Sequence, residues 1–469
     1  MLNRREMIGA LGGTALSLPF ASACSAQAAP VFRPEDFGAR GDGATNDSAA
    51  FAAMSDAVSR AGGGIVELRR TTYLVGAQTA RTTGPQSFAP GRLMEFTGCT
   101  RPLVVRGNGA RLRSAPGLRY GTFDPRTGRA TRRALPNFVQ GETATPYAWM
   151  IKVERCSGSV EISDLELDGN LARLNLGGPW GDMGYQIHAY GIGLYNNSGA
   201  EILRNLHLHH HGMDGLIVDG LDRDRRVRSR LENVRCEYNG RQGCSIVGGR
   251  GYDFVNCRFA HTGKGGVSSA PGAGVDIEAE DKRVRDLTFT DCEFVDNSGP
   301  GLLADSADSE GATFLRCTFV GTTSWAAWPK KPRFRFDDCN FVGAIAHAFA
   351  DAERPERAAR FTGCTFRDDP ALSPTRQVYG TIIAELPSNP GVVFSGCNFR
   401  LTHQAVLPWS TGDVTYESCT MSQRSPTTSY PRGRYLGRST ISGNVGLSGA
   451  LVVGELIVNG QRMARGRIG

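Results

Sequence analysis

The feature that most constrains this chain is a six-residue phrase, aromatic-x-x-Cys-x-aromatic, that recurs through its second half. It reads Phe254-Cys257-Phe259, Phe289-Cys292-Phe294, Phe314-Cys317-Phe319, Phe336-Cys339-Phe341, Phe361-Cys364-Phe366 and Phe394-Cys397-Phe399, with Tyr416-Cys419-Met421 as a degenerate last copy. Such a period implies a solenoid, in which one rung cannot bury its apolar face without the next. The residue before the Cys is Asn256, Asp291, Asp338, Gly363 or Gly396 in five copies. These types tolerate a left-handed backbone, so a sharp bend is expected there. The bend explains the apolar residues three before and two after the Cys, which a straight strand would point to opposite faces. Arg235, Arg316 and Ser418 are assigned to the same corner in other copies. The phrase also extends backwards, as Ile162-Leu165-Leu167 and Leu203-Leu206-Leu208, with Asp164 and Asn205 at the corner.

The exchange of Leu for Cys decides how the twelve cysteines are read. A position that takes Leu in one rung and Cys in the next is a packing position, so a reduced internal ladder is expected rather than a disulfide framework. Cys24, Cys99, Cys156 and Cys244 fall outside the column.

The first residues, Asn3-Arg4-Arg5-Glu6-Met7 and the apolar run Ile8 to Pro19, have the form of a twin-arginine export signal too short to span a membrane. Cleavage after Ala26-Gln27-Ala28 is expected, which assigns 1–28 to the signal and 29–469 to one elongated domain in the periplasm or outside the cell. A lipid-modified Cys24 is the alternative. No other run approaches a membrane span. The net charge is +7, or +6 once Arg4, Arg5 and Glu6 leave. That excess suits attraction to an acidic polymer. Nucleic acid is not expected, because no basic block interleaved with aromatics is present.

After the signal comes Phe37-Gly38-Ala39-Arg40-Gly41-Asp42-Gly43-Ala44-Thr45-Asn46-Asp47, then a helix with Phe51, Met54, Val58 and Ala61 on one face. Asp47 is the expected N-cap and Gly62-Gly63-Gly64 the stop. The strand Ile65 to Leu68 and the turn to Tyr73-Leu74-Val75 follow. This segment resembles the opening of the pectate-lyase superfamily domain of rhamnogalacturonase-like and epimerase-like proteins. Val105-Arg106-Gly107-Asn108-Gly109-Ala110 and Leu165-Glu166-Leu167-Asp168-Gly169-Asn170 are similar to its early rungs. The resemblance, over roughly 32 to 425, implies an all-β right-handed parallel β-helix with an N-terminal capping helix. Insertions at 116–147, 170–190 and 262–273 interrupt it. The first two carry Tyr120, Phe123, Tyr147, Trp180 and Tyr185, aromatics suited to stacking on sugar rings.

A second ladder starts on Gly191, Gly215, Gly243, Gly274 and Gly301. Alternation turns Ile192/Leu194, Leu216/Val218, Cys244/Ile246, Val275/Ile277 and Leu302/Ala304 inward, leaving Tyr195, Asp219, Val247, Glu278 and Asp305 outward, with Asp276 beside Glu278. Neighbouring rungs lie about 4.8 Å apart, so carboxylate pairs at the separations of retaining (about 5–5.5 Å) and inverting (about 6.5–9.5 Å) glycosidases are available. Asp219, Asp276, Glu278 and Asp305 are therefore the catalytic candidates, with Asp214, Tyr195, His188, Lys264 and Trp180 as substrate-binding candidates. The superfamily's polygalacturonases carry Asn-x-Asp, Asp-Asp, Gly-His-Gly and Arg-x-Lys motifs. This chain has Met213-Asp214-Gly215 and Arg241-Gln242-Gly243 but no Gly-His-Gly, so their mechanism does not transfer.

The expected function is cleavage of glycosidic bonds in an acidic polysaccharide, by hydrolysis and with no cofactor. β-Elimination is the rival, with Glu280 and Asp281 joining Asp276 and Glu278 as Ca²⁺ ligands and Lys264 or His188 as base. A non-catalytic carbohydrate-binding or surface-structural solenoid is the third reading. The run His207, His209, His210, His211 is read as a polar corner, because consecutive strand residues point apart and no spaced ligand is visible.

Overall fold

The computed structural model describes residues 29–84, 86–131, 143–178 and 186–469. The export segment with Cys24, and Trp180 and Tyr185 of the second insertion, lie outside these residues. The bend expected from the repeat is present: Asp164, Asn205, Asn256, Asp291, Arg316, Asp338 and Ser418 have φ of 50 to 56°, and Gly363 and Gly396 have 64° and 62°. One assignment shifts. Leu206 pairs with Val234 and Leu208 with Cys236, and the left-handed residue of that rung is Asn233, φ 55°. Cys236 therefore stands at the second apolar place of its rung, and Arg235 is not a corner residue.

Around each corner the chain passes between parallel sheets. A first sheet stacks Met94–Thr97, Trp149–Glu154, Tyr190–Tyr195, Asp214–Asp219, the start of Gln242–Val255, Val275–Ile277, Leu302–Ala304 and Ala327–Pro329. On the second, Phe254, Phe289, Phe314, Phe336, Phe361 and Phe394 fall in register. On the third, Phe259, Phe294, Phe319, Phe341, Phe366 and Phe399 do the same. This is the parallel β-helix that the repeat predicts.

In-register pairing dictates the core. The second-sheet rings lie 4.4 to 4.8 Å apart and within 10° of parallel, the strand spacing itself. The corner thiols have a role Leu cannot fill. Cys292, Cys317, Cys339, Cys364, Cys397 and Cys419 each donate, at 3.2 to 3.5 Å, to the carbonyl of the first aromatic residue one rung back. A small buried side chain with a weak donor fits a bend where one carbonyl leaves the ladder. All eleven described cysteines are free and buried.

The helix Ser48–Arg60 caps the first rungs with Phe51, Met54 and Val58 fully buried. Gly62, Gly63 and Gly64, all at positive φ, end it. Asp47 sits at the N-cap position but does not cap the helix with its side chain. Its carboxylate accepts from the Arg40 and Gly41 amides at 2.8 and 3.1 Å, tying down the preceding loop. At the far end, Glu455–Val458 and Leu451–Val452 pair antiparallel with Gln461–Arg462 and Gly466–Arg467, covering the last open strand edges.

The 78–90 segment and the first two insertions together build a side sheet of Gln78–Ala80, Gln86–Pro90, Arg119–Thr122, Thr143–Ala144 and Asn175–Gly177. From it Tyr120 reaches the first sheet, donating its hydroxyl to the Ile187 carbonyl at 2.8 Å. A Cβ at Gly212 would stand 2.3 Å from that ring, so only glycine lets the two approach.

Candidate active-site groove

The first sheet presents the polar face anticipated from the glycine ladder. Ile192, Leu194, Leu216, Val218, Cys244, Ile246, Val275, Ile277, Leu302 and Ala304 are all buried inside the coil. Tyr195 pairs with Asp219 as expected. A register shift then sets Asp219 against Gly248, leaving Val247 in an outer apolar patch with Tyr190, Met213 and Ile217. Ser245 pairs with Asp276, and Asp276 with Leu303. This brings Glu278 and Asp305 to neighbouring rungs at the edge of the groove.

Two layers of polar side chains result. In the floor, Asp214 is completely buried and accepts from Arg241 through both oxygens, at 2.8 Å from Nε and 2.5 Å from Nη2. Ser245 donates its hydroxyl to Asp214 at 2.8 Å, and Arg241 reaches Gln186 at 3.2 Å. Burial works against the charge on Arg241, but the Asp214 carboxylate outweighs it and raises the guanidinium pKa. Such a bidentate pair is among the few arrangements that keep buried charges ionised.

Beside this pair lies Asp276, only 4% exposed. Gln242 donates its amide to Asp276 Oδ2 at 2.7 Å. Burial and the neighbouring Glu278 push the Asp276 carboxyl up to about 7, against the opposing pull of Arg241 and Gln242, and Asp305 adds to the rise. Asp276 is thus a carboxylic acid that holds its proton close to neutrality.

The rim is solvated. Glu278 is exposed and accepts from the Ser306 hydroxyl at 3.0 Å; Asp305 is exposed next to it in register. Asp219 is held by Lys282 at 2.5 Å, and Lys282 also donates to Asn196 at 2.7 Å. Glu280 is raised by burial. Among the described residues, three or more metal-ligating atoms converge in two places, both on the third sheet. Glu280 and Asp281 belong to neither.

One end of the groove is aromatic. His188 lies 5.7 Å from Trp149 and 5.4 Å from Tyr190, ring centre to centre, and the Trp149 indole donates to the Tyr195 hydroxyl at 2.9 Å. Although His188 has an exposed edge, the desolvation imposed by its packed surroundings, and then Arg241, lower its pKa, so its imidazole is neutral. Burial raises the phenols of Tyr190 and Tyr195. At the other end, Ser268 to Gly272 of the third insertion wall a cavity of about 340 Å³ with Leu303, Asp305, Trp325 and Trp328. The indole N–H groups of Trp325 and Trp328 have no acceptor among the described residues. Lys264 is turned away, 4.0 Å from Asp296 and 3.5 Å from Thr323.

Asp214, Asp276, Glu278, Asp305 and Tyr195 therefore lie along the outer face of the first sheet with His188 packed beside it, Asp219 is paired with Lys282 at its margin, and Lys264 is engaged elsewhere. The sequence reading missed Arg241, Gln242 and Ser245 as the groups that hold the buried acids. Their signal was the glycine ladder itself: residues just before Gly243 occupy the same sheet as Asp214, just before Gly215. The histidine run also departs from expectation, since spaced ligands do exist one rung away.

The model of the right-handed β-helix region family matches residues 150–343, and the chain is a right-handed parallel β-helix. No curated protein matches it. Among solved structures, the N-terminal fragment of bacteriophage Phi29 gene product 12 shares 13% identity over 92% of this chain and 73% of its own, with a TM-score of 0.53. The A-module of mannuronan C-5 epimerase AlgE4 of Azotobacter vinelandii aligns at 16% identity over 92% of this chain and 97% of its own, TM-score 0.42. Tailspike protein gp49 of Acinetobacter baumannii bacteriophage Fri1, a capsular polysaccharide depolymerase, aligns at 13% over 93% and 64%, TM-score 0.41. The Phi29 likeness is one of fold.

Proposed function

We propose that this groove binds a polysaccharide and hydrolyses its glycosidic bonds. The observation that carries the reading is Asp276, a buried acid held protonated near neutrality and flanked by the solvent-facing carboxylates Glu278 and Asp305. Glycoside hydrolysis needs that asymmetry: one carboxylic acid to protonate the departing oxygen, and one carboxylate to attack the anomeric carbon or activate a water. Asp276 is the general acid, and Glu278 or Asp305 the partner. The Asp214–Arg241 pair and Gln242 hold Asp276 in place as positioning residues. The indoles of Trp325 and Trp328 line the neighbouring cavity and supply apolar faces for sugar rings. Export by the twin-arginine route leaves a mature chain of net charge +6, which favours an acidic polymer. No helix among the described residues is long and apolar enough to cross a membrane.

A second reading, β-elimination, is favoured by His188, a neutral imidazole at the groove's aromatic end and so a competent base. Against it, Arg241 is already committed to Asp214 and is not free to neutralise a uronate carboxylate. The test is to incubate the mature protein with neutral and uronic-acid polysaccharides while following reducing ends and unsaturated-product absorbance together. Hydrolysis gives reducing ends alone. Unsaturated product would transfer the assignment to elimination, and silence on every polymer, combined with binding to one, would leave a carbohydrate-binding solenoid.

A further inference from the structure

We propose that Asp168, His209 and His210 form a binding site for one divalent transition-metal ion of the Zn²⁺ type, on the third sheet and separate from the groove. The strand Glu201–His209 ends at His209, and His210 takes a left-handed backbone, φ 56°. That reversal removes the alternation that would point two consecutive side chains apart. Their Nδ1 atoms face each other 2.7 Å apart, and Asp168 Oδ1, one rung below, lies 3.7 Å from His209 Nδ1. All three ligand atoms lie within 4.8 Å of one another.

Hydrogen bonding fixes which atoms carry lone pairs. His209 Nε2 lies 3.0 Å from Glu166 Oε1. An ionised carboxylate only accepts, so His209 Nε2 donates; the neutral ring then has its lone pair on Nδ1, where it accepts from the His210 Nδ1–H until an ion displaces that proton to solvent. A carboxylate gripping the far nitrogen of a ligand histidine is the usual outer support of a metal site. Asp168 divides its two oxygens. Arg111 and Arg113 bind Oδ2, while Oδ1 accepts from the Asn170 amide at 2.8 Å and lies 3.7 Å from His209 Nδ1. His209 and Asp168 are 6% and 3% exposed, so little of either side chain meets bulk solvent. The His210 ring is braced by parallel stacking on Tyr238, 5.1 Å away and tilted by 11°. His211 takes no part, because its Nδ1 lies 2.9 Å from the Tyr147 hydroxyl inside the coil.

The donor set selects the ion. Two imidazoles and one carboxylate suit Zn²⁺, Co²⁺ or Ni²⁺, whereas Ca²⁺ and Mg²⁺ require all-oxygen shells. Two guanidinium groups beside Asp168 further disfavour a hard cation held by charge alone. Three ligands leave a fourth position, facing a cavity of about 210 Å³ that Arg111, Arg113, Asn170 and Ala172 help to line. Water or a small anion held by the arginines completes the shell.

The test uses the mature protein, stripped with chelator, dialysed, and titrated with Zn²⁺ by calorimetry and with Co²⁺ by visible absorption. One ion per chain and the intense visible bands of four-coordinate Co²⁺ are expected. His209→Ala and His210→Gln lose both signals, His207→Ala keeps both, and Glu166→Gln binds about 10–100-fold more weakly. Circular dichroism of each variant confirms that the coil is intact. The proposal is overturned if the folded wild type shows no saturable binding, which would make His209 and His210 a hydrogen-bonded pair only. It is also overturned if His210→Gln binds like wild type while His207→Ala does not, placing any ion on the Glu166–His207 side.

Discussion

Replacing Asp276 by Asn separates a catalytic acid from a structural one, because the two roles predict opposite effects on stability. In the folded chain the carboxyl is raised from its ordinary 3.8 to about 7, so between those pH values the native state holds a proton that the unfolded chain has released. Stability must therefore fall as pH rises through this window, by 2.303RT per proton difference. The whole interval corresponds to about 4 kcal/mol, at about 1.4 kcal/mol per pH decade. Asn keeps the size and the acceptor that Gln242 bonds at 2.7 Å, but it never ionises. The Asp276→Asn chain should match wild type near pH 4 and exceed it progressively up to pH 8, approaching that 4 kcal/mol. Over the same range it should lose about 10²-fold or more of its polysaccharide-cleaving activity, the scale of a general acid's contribution. Guanidinium unfolding at a series of pH values, followed by circular dichroism, measures the first effect. Long solenoids need not unfold in two states, so midpoints at matched slope are the quantity to compare. A variant less stable than wild type by the same amount at every pH would refute the reasoning, because it would mean that Asp276 stays ionised and serves as a structural hydrogen-bond acceptor.

Arg241→Met should cost about 3–5 kcal/mol by leaving the buried Asp214 charge unpaired, measured by chemical denaturation; an equal loss in Asp214→Asn/Arg241→Met would show that the packing of the arginine matters more than its charge. Glu278→Gln or Asp305→Asn should abolish hydrolysis while leaving the thermal midpoint within a few degrees of wild type, as both side chains are exposed, and full activity in both folded variants would remove the groove as the active site. Phe314→Ala should cost about 3–5 kcal/mol, since its ring lies 4.8 Å from both Phe289 and Phe336; a loss under 1 kcal/mol would contradict a close-packed stack. The eleven described cysteines should resist a thiol-reactive dye in the native protein and react only in denaturant, because buried thiols are inert.

The coil was legible because its signals are local. Phe289-x-x-Cys292-x-Phe294 carries both its period and its bend in one phrase, and Asp291 needs only its own backbone to place the corner. The inward residues of the first sheet followed from alternation after Gly191, Gly215, Gly243, Gly274 and Gly301. Alternation could not reveal the register shift at Val218/Asp219, which depends on how Gln242–Val255 runs unbroken from the first sheet into the second. Nor could it separate Asp276 from Glu278, two residues apart on one face, the first 4% exposed and the second open to solvent. Burial there is decided by Gln242 and Arg241, a rung away. The same blindness hid the ligands of His209, because Glu166 and Asp168 lie more than forty positions earlier and become neighbours only through stacking. Arg235 was misplaced for a simpler reason: Cys236 was aligned by residue type, whereas Asn233 marks the bend.

The position of the groove along the coil bears on how it works. Its acids stand on the rungs where the internal columns change from Leu203-Leu206-Leu208 to Phe254-Cys257-Phe259 and its successors. Leucine columns repack at modest cost, whereas rings stacked 4.4 to 4.8 Å apart and pinned by thiols to the preceding carbonyl have few alternative arrangements. Asp276 and Asp305 belong to the rungs that continue into Phe289 and Phe314, and so rest on the stiff side of that boundary. Asp214, on the rung that continues into Leu231, approaches from the other side, and Arg241 and Gln242, on the rung that continues into Phe254, stand between it and Asp276. An acid whose pKa depends on burial and on Glu278 needs its surroundings fixed to fractions of an ångström, and the phenylalanine stack provides that. Softening it should therefore reach the chemistry without touching a polar group. In Phe289→Leu a core side chain of the rung that carries Asp276 shrinks while the coil remains, so the alkaline limb of the pH–rate profile, where the general acid loses its proton, should move to lower pH, toward the range of an ordinary carboxyl, before the protein loses its fold. An unchanged profile in a measurably destabilised Phe289→Leu chain would show that the floor of the groove is held by Arg241 and Gln242 alone.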